Sequence, residues 1–276
     1  MDPAGCGRLV VGGFDGTTLP TRMARALRER RRGGVILFKR NLGGGPSQVA
    51  ALLRQIHTWS ADTPLVGVDQ EGGRVVRMSA PLLVVPPMQT VASWGDPALA
   101  ERIAGAVGAQ LSALGFTITF APVLDVNTRP DNPIIGDRSF GAHPDTCGRF
   151  GVAWIRGLQG SGLLACAKHF PGHGDTATDS HLELPIVERT RERLDRVEFA
   201  PFRAAAAAGV AAMMTAHVVF TAIDAALPAT LSHAVCTVLR TQIGFGGMLV
   251  SDDLEMQAIS ARWSIDEAAV LAIAAG

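Results

Sequence analysis

Short apolar runs alternate with longer amphipathic segments along the whole chain. The runs Leu9–Phe14, Gly34–Phe38, Pro64–Val68, Thr117–Val126, Leu163–Ala167, Ala211–Ala216 and Gly247–Ser251 are near-continuously apolar, as strands are when both faces lie under other elements. The segments between them carry helical periodicity and recognisable ends. Pro20–Arg32 stops at the pair Gly33 and Gly34, and Pro46–Trp59 follows a glycine-rich turn. Asp96 and Pro97 supply an N-cap and a first-turn proline for a helix that reaches Gly115. Asp145–Gly160, Thr190–Ala208 and Ser232–Ile243 also read as helices, and Ser264 with Glu267 forms a capping box that opens the last one.

Strand–helix alternation at this spacing predicts an α/β fold with a parallel sheet, either a closed barrel or an open doubly wound sheet. No G-x-G-x-x-G follows the first run and there is no P-loop, which weakens the nucleotide-binding open sheet. The polar residues favour the barrel. Asp69 ends the third run, Asp125 and Asn127 the fourth, Lys168 and His169 the fifth, His217 the sixth, and Asp252 and Asp253 the seventh. A barrel draws its chemistry from the C-terminal ends of many strands, whereas an open sheet concentrates it at one switch point. We therefore expect a TIM (β/α)8-type barrel forming a single catalytic domain over residues 1–276. With seven runs in hand, we expect it to lack the last strand–helix unit at the C-terminus.

Composition narrows the class. A chain of 276 residues is an ordinary size for such a barrel. Lys+Arg and Asp+Glu number 25 each, so the formal net charge is zero and offers no footprint for nucleic acid or an anionic membrane. The basic stretch Arg22–Arg32 has arginines at helical spacing and reads as a solvated helix face. Cys6, Cys147, Cys166 and Cys236 lie far apart with no C-x-x-C, as reduced thiols do, rather than a disulfide framework or zinc site. The N-terminus lacks the pattern of a signal peptide, and no stretch approaches the ~20 apolar residues of a membrane span. The expectation is a cytoplasmic monomer with a carbohydrate substrate, no nucleic-acid or membrane partner, no cofactor and no metal.

The densest chemistry lies in AKHFPGHGDTATDSHLELP, residues 167–185, which gathers Lys168, His169, His173, Asp175, Asp179 and His181. Pro171, Gly172 and Gly174 exclude a continuing helix or strand, so these groups are expected on a loop. In VDQEGGRVVR, Asp69 emerges from a buried run and either accepts hydrogen bonds from a polyhydroxyl ligand or caps the next turn. The segment from Asp125 to Phe140 is long for a connection of this kind. Its Arg138 offers a planar fork for a carboxylate, an amide or paired hydroxyls, or else braces the loop on an acid. Asp252, where the last run meets the barrel mouth, is a natural carboxylate nucleophile, with Asp253 facing away or capping.

VDQEGGRVVR, NPIIGDRSFG, KHFPGHGDTATDSH, MMTAH and VSDDLEM together resemble glycoside hydrolase family 3 over essentially the whole chain, most closely its single-domain bacterial β-N-acetylglucosaminidases. The resemblance implies that Asp252 is the nucleophile and His181 the general acid/base, with Asp179 its dyad partner. It implies that Asp69, Arg77, Arg138, Lys168 and His169 bind the sugar, with His173, Asp175 and His217 in support. The implied activity is that of a retaining beta-N-acetylhexosaminidase releasing terminal β-linked N-acetylglucosamine from peptidoglycan-derived muropeptides in cell-wall recycling.

The chemistry agrees. A carboxylate two residues from an imidazole can orient it and raise its pKa toward neutrality, where general acid–base catalysis is most efficient. A neutral imidazole does not repel an anion, so a phosphorylase using phosphate as second nucleophile stays open. Two further readings stand beside it. His169, His173, Asp175, Asp179, His181 and His217 can be read as zinc ligands of a metal-dependent hydrolase, and a short barrel can be read as a sugar-binding protein without turnover.

Overall fold

In the computed structural model, which describes residues 3–177, 180 and 183–276, the apolar runs become one parallel sheet. Its strands are β1 (Val11–Gly12), β2 (Gly34–Leu37), β3 (Leu65–Val68), β4 (Ile118–Thr119), β5 (Leu164–Phe170), β7 (Ala212–Thr215) and β9 (Met248–Ser251), hydrogen-bonded in that order. Each strand neighbours the one before it in the sheet and helices intervene in the chain, which is the wall of a TIM-type barrel. Strands β1 and β9 form its two edges. A separate parallel pair, β6 (Ile186–Val187) with β8 (Val219–Phe220), lies outside the wall and has no counterpart in the expected runs.

Alternation along the strands divides the core in two. Ile118, Phe120, Cys166, Ala212 and Met214 form a buried cluster, joined by Ile36, Leu65 and Val250, so alternate strand positions fill the space inside the curved wall. Gly67 belongs to that layer: a Cβ there would sit 2.6 Å from the Phe120 ring, so the glycine makes room for the aromatic side chain. The larger cluster lies between the wall and the helices, with Trp154, Phe150, Leu111 and Leu53 among its buried members.

The helices Pro97–Leu114 and Pro144–Gly160 pack closely, because a Cβ on Gly157 would lie 2.2 Å from the Glu101 carbonyl oxygen. The expected caps are present: Asp96 accepts from the Leu99 N–H at 3.0 Å, and Ser264 with Glu267 closes its capping box.

Several expected elements differ. The run Thr117–Val126 keeps regular pairing only at Ile118–Thr119, because Pro122 has no N–H to donate. Its remainder stays beside β5 through Leu124 N–H to Lys168 O at 2.7 Å and Lys168 N–H to Pro122 O at 3.1 Å. The segment Thr190–Ala208 is two helices, Arg191–Arg196 and Ala200–Ala207, since Pro201 cannot continue a helix through Val197 to Phe199. Strand β5 runs on to Phe170, so Lys168 and His169 are strand residues and the loop begins at Pro171. All four cysteines are free. Among the described residues no helix is long and apolar enough to cross a membrane.

Candidate active site

The C-terminal ends of β3 and β5 meet through charge. Lys168 Nζ lies 3.0 Å from Asp69 Oδ1 and 2.6 Å from Glu71 Oε1, and Arg138 grips Glu71 with Nε and Nη2 at 2.9 Å each. Arg77 Nη2 donates to the other oxygen of Asp69 at 3.2 Å. The two acids differ in access: the Glu71 side chain is 2% exposed and Asp69 15%. Asp69 is thus the acid a ligand can reach, and Glu71 is a buried counter-ion that orients two cations. Burial alone would raise the Glu71 carboxyl, but Lys168 and Arg138 hold it well below the carboxylate range. Lys168 is raised, since Asp69 and Glu71 outweigh the burial that opposes its charge.

Asp125, fully buried, organises the next layer. Its Oδ1 accepts the backbone N–H groups of His169 (3.1 Å) and His173 (2.6 Å), while Oδ2 lies 2.7 Å from His169 Nδ1. Burial would raise this carboxyl; His169 and His173 lower it instead. The His169 ring is thereby fixed at its Nδ1 edge. His173 is also buried, with Nδ1 2.8 Å from Thr176 Oγ1 and Nε2 2.9 Å from Ser180 Oγ. Burial pulls its pKa down to about 4, so the imidazole is neutral at ordinary pH.

The last sector comes from β7 and β9. Asp252 follows β9 directly, half-buried, and its Oδ1 accepts the Asp253 N–H at 2.8 Å. Burial would raise its carboxyl, but His169, His217 and Lys168 face it and hold it below its ordinary value. Asp252 is therefore an ionised carboxylate beside cationic and imidazole partners, as an attacking oxygen requires. His217 lies beneath the turn: Nε2 donates to the Asp253 carbonyl at 2.8 Å, so Nδ1 accepts from Thr230 Oγ1 at 2.8 Å. Asp253 is exposed and caps the turn through the Glu255 N–H at 2.9 Å.

Asp69, Lys168, His169, His217 and Asp252 thus converge, with Arg77 and Arg138 attached through the acids. Asp175 does not join them: it pairs with Arg189, and Thr128 Oγ1 donates to it at 3.2 Å, bracing the two ends of the loop after β5. Asp179 and His181 lie outside the described residues. Sequence reasoning missed Glu71 as the shared acid and Asp125 as the organiser. The signal for Glu71 was its place in VDQEGGRVVR, two positions beyond Asp69. Arg138 braces on an acid, and that acid comes from another strand's loop.

Among the described residues no group of three His, Cys, Asp or Glu side chains is assembled to hold a metal ion. His173 and His217 each commit both ring nitrogens to protein partners.

The chain matches the family model described as glycosyl hydrolase family 3 N terminal domain over residues 13–276. It is 41% identical over 268 residues to a Beta-hexosaminidase of Thiobacillus denitrificans, covering 95% of this chain and 74% of that protein. A Beta-hexosaminidase of Alkalilimnicola ehrlichii is 40% identical over 271 residues, with 96% and 77% covered. Among solved structures, a glycoside hydrolase family 3 beta-N-acetylglucosaminidase from Paenibacillus sp. superposes with a TM-score of 0.96 at 45% identity, covering 99% of this chain and 53% of that one. NagZ from Neisseria gonorrhoeae, in complex with N-trifluoroacetyl-D-glucosamine, gives 0.89 at 33% identity, covering 97% and 79%. The chain thus spans about half the length of the Paenibacillus protein and about three quarters of the curated relatives.

Proposed function

This chain belongs to glycosyl hydrolase family 3, and on that premise we infer that it is a retaining β-N-acetylglucosaminidase whose barrel is one catalytic domain. The observation that carries the reading is the convergence at the strand ends: Asp252 held ionised by His169, His217 and Lys168, with Lys168 itself 3.0 Å from the reachable Asp69. In the proposed reaction Asp252 attacks the anomeric carbon of a terminal β-linked N-acetylglucosamine, while His181, oriented by Asp179, protonates the leaving oxygen. Water deprotonated by His181 then releases the sugar with retained configuration. Asp69, Arg77, Arg138, Lys168 and His169 hold the sugar hydroxyls, Glu71 keeping the two buried cations in place. The relatives named Beta-hexosaminidase support the choice of sugar. Muropeptide fragments of peptidoglycan, met in the cytoplasm during cell-wall recycling by a monomeric enzyme, are the proposed natural substrates.

The test is release of p-nitrophenol from its N-acetyl-β-glucosaminide by the purified chain, with and without chelator, and with phosphate varied. We expect chelator-insensitive turnover that Asp252→Asn lowers by at least three orders of magnitude. Turnover that needs zinc, or that survives in Asp252→Asn, would contradict the reading. A sugar 1-phosphate as main product would replace hydrolase with phosphorylase.

A further inference from the structure

Ser180 stands between Asp179 and His181 in the sequence and is itself buried and doubly held. Its hydroxyl meets His173 Nε2 at 2.9 Å, and its carbonyl accepts the Ala258 N–H at 3.2 Å. Ala258 belongs to the short helix Gln257–Ser260 that follows Asp252, and no side chain caps that helix. The Ser180 carbonyl thus satisfies one of its otherwise unpaired first-turn donors.

The other end of the connection is equally determined. Thr176 Oγ1 lies 2.8 Å from His173 Nδ1 and 3.0 Å from the His173 carbonyl, which closes the turn on the ring's inner nitrogen. In the neutral ring one nitrogen donates and the other accepts, so the hydroxyls of Thr176 and Ser180 take complementary roles and both ring nitrogens are bonded. The His173 backbone N–H is tied to Asp125 at 2.6 Å, and Asn132 Nδ2 donates to its carbonyl at 2.9 Å. A continuous set of bonds therefore runs from Asp125 and Asn132, in the connection after β4, through His173 and Ser180, to the segment beyond β9 that carries Asp252.

We propose that His173 is a positioning residue for the acid/base pair, acting by pinning Ser180 against the segment that follows the nucleophile. The proposal rests on the reading of Asp179 and His181 as that pair. Ser180 is the covalent neighbour of both Asp179 and His181, so a change in how its hydroxyl and carbonyl are held would be passed to each of them through a single planar peptide unit. Displacing a catalytic group by about 1 Å can cost a hundredfold in rate. The bond from His173 is not needed to bind the sugar, so its loss belongs to proton transfer.

The test compares kcat/KM on two substrates: N,N′-diacetylchitobiose, whose leaving oxygen needs a proton, and the 2,4-dinitrophenyl N-acetyl-β-glucosaminide, whose leaving group does not. His181→Ala is the reference. In Ser180→Ala, we expect kcat/KM to fall at least about tenfold more on the disaccharide than on the aryl substrate. His173→Gln, whose amide reaches toward Ser180, should keep most of the activity. His173→Asn, whose amide reaches only toward Thr176, should behave like Ser180→Ala. The bond is cut from each side separately, with thermal unfolding recorded, so a variant that fails to fold leaves the other to decide. Equal losses on both substrates, in the presence of a leaving-group-sensitive His181→Ala, overturn the pin and leave the dyad standing. A His181→Ala enzyme with no such sensitivity overturns both.

Discussion

Glu71 carries more of the site's order than any residue that faces solvent. It holds Lys168 and Arg138 at once, so removing it would take from Arg138 the acid it grips and leave Lys168 with Asp69 alone. The same logic gives acid sensitivity. The pKa of His173 is about 4 in the fold against 6.5 ordinarily. Between those values the unfolded chain binds the extra proton, so stability rises with pH and is lost as pH falls. From pH 6.5 to 4 the loss from this residue is about 3 kcal/mol. His217, also lowered by burial, adds to the same slope, and the stability that the lowered carboxyls of Asp125, Glu71 and Asp252 contribute is lost in turn as pH falls through and below the ordinary carboxylate range. Urea unfolding at pH 7, 5 and 4 should show a shallower decline in His173→Gln than in the parent chain. Identical declines would contradict a neutral buried His173.

At this scale the sequence was informative where an apolar run delivers a polar residue, as at Asp69, Lys168, His169 and Asp252. It was silent on pairing. Arg138 advertised a planar fork, but whether Glu71 or a ligand fills it depends on which loops the barrel brings together.

The elements divide along similar lines. Helices with complete local signals were legible, because Asp96 and the Ser264–Glu267 box act within one turn. Boundaries set by one proline against a hydrophobic pattern were not: Pro201 breaks an apolar helical stretch, and Pro122 interrupts a strand that periodicity alone extends. The contact between the helices Pro97–Leu114 and Pro144–Gly160 supplies a test of packing. At Gly157 an added methyl would meet the Glu101 carbonyl at 2.2 Å and the Ala104 Cβ at 2.7 Å, whereas at Gly160 it meets nothing within 4 Å. Alanine gains about 1 kcal/mol of helix propensity at either position, but overpacking costs about 1–3 kcal/mol. Thermal unfolding should therefore place Gly157→Ala several degrees below the parent and Gly160→Ala at or above it. A Gly157→Ala that melts above the parent would mean that the helices can move apart freely.

For the whole molecule, one argument from sequence proved decisive: polar residues at the ends of several runs, rather than at one switch point, selected the barrel wall. The seven-stranded order and the family match agree with it. What the pattern could not supply was the ribbon of β6 and β8, whose two-residue strands carry no periodicity to read. The wall fixes which groups can share one opening, and Asp252, directly after β9, comes under the charge of Lys168 and His169 from β5. The central claim is that this carboxylate becomes covalently bound to the sugar.

The most direct measurement is to incubate the chain with a 5-fluoro N-acetyl-β-glucosaminyl fluoride, which slows release of the intermediate, and to locate the added mass by peptide mapping. One sugar per chain, attached to Asp252, is the predicted result. Attachment to any other residue, or turnover with inverted configuration and no adduct, would contradict the account.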